Sequence, residues 1–301
     1  MLIAFSVASC SGGGEKTEEA GPAVSSGAAA QQAGVPPKVP VSGLAKGLAL
    51  PLEAYLLDYS DSLQIERAQQ RLAVSCMARL GFSYHPPQLG LHPPASANDS
   101  NMPRRYGISD RAEAQVWGYH VPPRGTQSAP SAEQITPAEH EALTGSAQAP
   151  SPGATQGGGK NGIPKGGCVG QARRMLNADF VETETEASKL NRESLDKMLQ
   201  DPAVERVERQ WSACMKSKGY RAGTPYDVTD TNPPADGDTP SKKEIAVALA
   251  DIDCKASTGL IAKMFAVESG IQRGLIEDHQ LALNDERKKI DAALRASAAV
   301  K

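Results

Sequence analysis

The run Cys76-Met77-Ala78-Arg79-Leu80-Gly81-Phe82 returns later as Cys214-Met215-Lys216-Ser217-Lys218-Gly219-Tyr220, and each copy has an arginine five residues ahead of its cysteine, Arg71 and Arg209. Both runs end helix-like stretches. Ile65, Leu72, Cys76 and Leu80 share one face of a helix expected from about Ser62 to Leu80, with Gly81 as its C-terminal cap. Asp201-Pro202 is a start signal, Asp as N-cap and Pro in the first turn, and Val204, Val207, Trp211 and Cys214 form the apolar stripe that runs to Gly219. A further cysteine follows each copy, Cys168 and Cys254. The chain therefore reads as two related helical halves, each stapled by a disulfide, Cys76 with Cys168 and Cys214 with Cys254. An exchanged pairing, Cys76 with Cys214, stays open, because four cysteines permit three connectivities.

The remaining periodicity is also helical. Ser241-Lys242-Lys243-Glu244 has the form of a capping box. After it Ile245, Leu249, Ile252, Ala256, Leu260, Met264, Val267, Ile271 and Leu275 recur at three- or four-residue steps. They predict one long C-terminal helix to about Ala296, with bends at Gly259, Gly270 or Gly274, packing internally and extending as a coiled arm. Residues 168–178 and 183–200 are expected to be helical too. The fold class is all-α or nearly so, with disordered linkers, because 28 Gly and 22 Pro are concentrated in tracts that lack aromatic residues. Those tracts set the boundaries: 1–9 a signal-peptide remnant, 10–47 a flexible tether, 48–121 the first half, 122–167 a disordered insertion, and 168–298 the rest of the first half together with the second. A shorter Pro-rich connector covers 221–240.

The first nine residues are uncharged and largely apolar, and they end in Val7-Ala8-Ser9-Cys10, which resembles the lipobox of bacterial lipoproteins. Cys10 matches the cysteine that takes diacylglycerol and acyl chains such as palmitate. Neither Lys nor Arg precedes it, a departure from the basic start of a secretory signal. Of five cysteines, acylating Cys10 leaves an even set for disulfides, which form outside the cytoplasm. A tether of this length would span roughly 30 to 35 Å. The repeated cysteine motif, Arg105-Tyr106-Gly107 and the run from Glu244 to Lys255 resemble lipoproteins of high-GC Gram-positive bacteria to which no activity is assigned. That resemblance covers roughly 48–121 and 165–298. It implies a location at the outer face of the plasma membrane and supplies no catalytic residue.

Motifs for chemistry fail one by one. Gly157-Gly158-Gly159-Lys160 lacks the earlier Gly and the following Ser or Thr of a phosphate loop, and Asn232 to Glu244 puts Pro234 and Lys243 where a calcium loop needs oxygen ligands. His85, His92, His120, His140 and His279 never stand at metal-ligand spacing and read as solvated. Glu182, Glu184 and Glu186 read as a solvated helix start. A formal charge of -3 without long runs of one sign gives no footprint for nucleic acid. One place gathers cations and aromatics beside a loop: Arg104, Arg105, Tyr106, Trp117 and Tyr119, the candidate ligand or partner surface. The competing account of it is aromatics completing the first half's core beside solvated arginines. No cofactor or metal is implied. The expected function is non-enzymatic: a lipid-anchored envelope protein that binds or scaffolds an envelope protein or cell-wall component. A wall-acting hydrolase and a transporter-associated solute receptor are the alternatives.

Overall fold

Every regular element among the described residues is helical, and none of these helices is long and apolar enough to cross a membrane. The computed structural model describes residues 34–124, 135–146, 162–182, 184–233 and 239–301. The helices are α1 (Tyr59–Arg79), α2 (Arg111–Trp117), α3 (Pro137–Thr144), α4 (Gly167–Leu176), α5 (Glu186–Leu199), α6 (Pro202–Ser217), α7 (Val228–Thr231), α8 (Lys242–Thr258) and α9 (Leu260–Ala298). The expected signal remnant and Cys10 lie outside the described residues.

The internal echo has one physical form in both copies. At the end of α1, Gly81 N–H donates to Ala78 O at 3.0 Å and Phe82 N–H to Met77 O at 3.0 Å. At the end of α6, Gly219 N–H donates to Lys216 O and Tyr220 N–H to Met215 O, each again at 3.0 Å. These paired bonds make a Schellman cap, which requires its glycine in the left-handed region, and φ is +85° at Gly81 and +89° at Gly219. Met77 and Met215 are both fully buried under the aromatic residue that follows. The cysteine before each cap is bridged to the next helical layer: Cys76 on α1 to Cys168 on α4, and Cys214 on α6 to Cys254 on α8.

α9 is the spine that joins these pairs, and not an arm. Along its length it contributes Leu260, Ile261 and Met264 to the core of α6 and α8, then Leu275 and Leu283 to a cluster with Leu52, Leu56 and Leu190. Near its end Ala293 joins a cluster with Ile65 and Leu176. Polar side chains fix its far end. Glu286 accepts from the N–H groups of Glu186 and Ala187 at 2.6 and 3.1 Å, satisfying the start of α5, and Gln64 on α1 donates to Leu294 O at 2.9 Å.

Several expectations are corrected. The long C-terminal helix is present as α9, but it starts later than the periodicity suggests, because Gly259, one of the expected bends, takes φ +67° and ends α8, whereas Gly270 and Gly274 continue inside α9. Ala256, placed on the buried stripe, is exposed, since the break at Gly259 turns the two helices' inner faces separately. The capping box at Ser241 is only half made. Ser241 Oγ accepts from Glu244 N–H at 3.1 Å, but the Glu244 carboxylate turns inward to the 118–120 segment. The insertion 122–167 contains α3, whose Ala142 and Leu143 pack on Cys76, Met77 and Cys168, because the α1–α4 pair alone leaves an apolar face uncovered. Part of the 10–47 tether is fixed as well: Pro40 and Ala45 are buried and Leu44 N–H donates to Ser109 O at 2.9 Å. The boundary of the first half also fails. Leu48, Leu50, Met102, Tyr106 and Tyr119 join the core of α6, α8 and α9 instead.

Removing either disulfide as a Cys-to-Ala pair is expected to lower stability by about 2–4 kcal/mol, through the entropy of the unfolded chain. The Cys76–Cys168 bridge closes the longer loop, with a separation of 92 residues against 40, so C76A/C168A should cost more than C214A/C254A. Urea unfolding of the two variants measures both.

Candidate functional site

The segment from Ser100 to His120 carries the cation-aromatic cluster expected to be a surface, and the fold turns most of it inward. Arg105 and Tyr106 are buried, as is their common partner, Glu268 on α9. The Glu268 carboxylate accepts from the Arg105 guanidinium, from Tyr106 Oη–H at 2.8 Å and from Ser194 Oγ–H of α5 at 2.8 Å. The guanidinium has further acceptors. Nη1 donates to Ser100 O at 3.1 Å and Nη2 to Asn191 O at 2.7 Å. A relay continues along α9, where Gln272 donates to Ser194 Oγ at 2.9 Å and accepts from Leu52 N–H at 2.9 Å. Burial, then the negative charge of Glu268, pushes the Tyr106 phenol far above its usual range, so it stays protonated as a donor.

A second enclosed cluster sits on α8. Asp251 accepts from Trp211 Nε1–H at 2.9 Å, from Lys255 Nζ at 3.0 Å and from Tyr119 Oη–H at 3.3 Å. Lys255 also donates to Ile108 O at 2.9 Å. Gly107 is what admits it: a Cβ there would lie 2.6 Å from Lys255 Nζ, and φ is +79°. Desolvation raises the Asp251 pKa and lowers that of Lys255, against the attraction each exerts on the other. Two turns toward the start of α8, Glu244 accepts from Tyr119 N–H at 3.0 Å and faces His120 Nε2 at 3.3 Å.

The expected ligand surface is therefore corrected at its centre. Arg105, Tyr106 and the hydroxyl of Tyr119 are consumed inside the protein. Arg104 holds the turn after α2 by donating to Tyr119 O at 2.8 Å, His120 O at 2.7 Å and Glu113 at 2.8 Å, while Trp117 is half-buried at the end of α2. The competing account, aromatics in the first half's core beside solvated arginines, is corrected too, because Tyr106 and Tyr119 enter the other half's core and Arg105 is buried. Two histidines expected to be solvated have carboxylate neighbours, His120 with Glu244 and His279 with Glu186 at 2.9 Å. Among the described residues no three metal-ligating side chains gather. The phosphate-loop look-alike at 157–160 lies outside the described residues. Glu268, Gln272, Asp251 and Lys255 escaped the sequence reading, although their spacing continues the register of Met264, Leu275 and Ala248 on the buried faces.

Taken together, the two clusters are donor-rich cages around single carboxylates, sealed from solvent and matched nearly atom for atom. They order the Ser100–His120 segment against α5, α8 and α9. Two buried carboxylates keep an oxygen without a hydrogen bond: Glu244, whose Oε2 faces His120, and Glu208 of α6, which is 8% exposed and whose Oε1 has no hydrogen-bond partner. Burial, followed by the nearby charges of Asp227 and Glu205, raises the Glu208 pKa. Compared with known proteins, the chain matches no family model, no curated protein and no solved structure.

Two outcomes are expected. Glu268→Ala leaves a buried guanidinium unpaired and should cost about 3–5 kcal/mol, whereas replacing both charges by apolar residues, Arg105→Met with Glu268→Leu, should cost less than the single change. Chemical denaturation of the two variants beside the unaltered protein gives the comparison. For Glu208, a folded-state pKa above the unfolded value means that ionisation opposes folding, so the native state loses stability as pH rises through the carboxylate range. Glu208→Gln should raise the melting temperature at neutral pH, and its advantage should vanish once acid protonates the native side chain.

Proposed function

We propose that the protein is a non-enzymatic lipoprotein of the bacterial cell envelope, anchored through acylated Cys10 and acting as a binding or scaffolding module. The observation that carries this reading is the pair of disulfides, each closing one copy of the repeated helix end. Such bridges persist in oxidising compartments, and with Cys10 acylated they leave no cysteine over.

The chemistry of the described surface favours binding over hydrolysis. A wall-cutting glycosidase needs two carboxylates flanking its scissile bond. Three open grooves, of about 450, 410 and 350 Å³, have Asp99 as the single carboxylate side chain in their linings. The buried carboxylates Glu268, Asp251 and Glu244 are committed to internal donors.

Expression of the full chain in a bacterial host that acylates lipoproteins tests the reading. Intact mass should show four cysteines oxidised and a diacylglyceryl group on Cys10, and the chain should partition with membranes into detergent. Cys10→Ala should release it from the membrane fraction without changing its melting temperature. Free thiols at all four remaining cysteines with an unmodified Cys10 would overturn it.

A further inference from the structure

Two of the three grooves carry only cations as charged side chains, one with Lys216 and Arg221 and the other along α1. Its walls are Arg67, Gln70, Arg71, Val74 and Ser75 of α1, with Pro86 on one side and Lys301 on the other, enclosing about 410 Å³. Every charged side chain in that lining is a cation. Arg67 and Arg71 are four residues apart on one helix face, so their guanidiniums project side by side from neighbouring turns.

The walls are held in place by contacts that leave the cations available. Gln70 Nε2–H donates to Pro87 O at 3.0 Å, fixing the chain that forms the Pro86 side. Arg71 Nη1–H donates to Val300 O at 3.1 Å, fixing the side that follows α9. Arg67 is exposed and makes no hydrogen bond or ion pair among the described residues. Several exposed cations elsewhere differ in having a carboxylate beside them: Lys38 with Asp58, Lys197 with Glu193, Arg209 with Glu205 and Lys288 with Asp285.

We propose that this groove binds a phosphate group, which Arg67 and Arg71 hold between them. The guanidinium is the side chain suited to the role: it is planar, permanently charged, and presents paired N–H donors that match two phosphate oxygens. Arg71 has Nε and Nη2 free after its bond to Val300, and Arg67 has its whole fork. Ser75, one turn further along the same face, adds a hydroxyl donor. Val74 and Pro86 supply apolar wall for the carbon skeleton of a phosphate ester. The arginines carry the site, because the guanidinium fork matches paired phosphate oxygens, whereas an ammonium such as that of Lys301 acts as a point charge. The site is separate from both buried clusters, and its chemistry does not depend on whether Cys10 carries lipid.

Two sources share this chemistry, free phosphate and the phosphodiester headgroup of an anionic lipid. The full chain carrying Cys10→Ala, so that no acyl group contributes, is titrated with inorganic phosphate by calorimetry and sedimented with vesicles of phosphatidylglycerol or of phosphatidylcholine. Binding to phosphate, or to phosphatidylglycerol vesicles with little to phosphatidylcholine, is expected, and the responding probe identifies the source. R67Q/R71Q should weaken it by about tenfold or more, as loss of charge-assisted pairs requires. K216Q/R221Q, which neutralises cations lining another groove, should leave it unchanged. If the double change disturbs folding, R67Q alone serves, since Arg67 supports no other residue. Failure to bind either probe, an unaffected R67Q, or an equal loss in K216Q/R221Q overturns the proposal.

Discussion

The carboxylate of Glu268 is the group on which the rest of the structure depends. It is wholly buried two turns into the longest helix, and a charged side chain there is tolerable only with charge and hydrogen bonds supplied around it. Those donors come from two separate stretches of chain, Arg105 and Tyr106 from the loop region and Ser194 from α5, and Gln272 extends the network from Ser194 to Leu52. A burden at one atom pair thus specifies where a helix-poor segment must lie. Asp251 repeats the arrangement one helix earlier with Trp211, Tyr119 and Lys255. Apolar packing alone would let the Ser100–His120 segment slide; the two cages fix its register.

The disulfides act on a different level. Each joins a helix end to the next layer within its own copy of the motif, and neither joins the two copies. What unites the copies is α9, which touches three successive apolar clusters and is stapled to α1 and α5 by side-chain bonds near its end. Covalent closure is therefore local, while the long-range arrangement rests on burial and on the enclosed carboxylates.

Helix ends were largely legible in the sequence because their determinants are local. Gly81, Gly219 and Asp201-Pro202 announce the same geometry the structure adopts, and the repeated cysteine motif pointed to the bridge in each copy. What escaped was the interior polarity. Asp251 and Lys255, four apart on a helix, have the spacing of an ordinary solvated pair, and only tertiary burial separates the two cases. Arg105 was read as surface for the same reason: an arginine beside aromatics looks alike whether its partner is a ligand or a distant Glu268. The helix inside the Gly- and Pro-rich tract had a signal, since Thr136-Pro137-Ala138-Glu139 forms a capping box and Gly145 closes the last turn. Composition averaged over the tract outweighed it.

The attachment of the described N-terminal stretch has a mechanical corollary. Leu44 is bonded to Ser109 and Leu52 to Gln272, so tension applied from the N-terminal side enters the protein at its centre, at the segment held by the buried cages and at the waist of α9. Such a load meets these interior bonds first, with α1 and its cystine lying beyond them along the chain. A pull on this end would have to break contacts at the core before it could unwind α1.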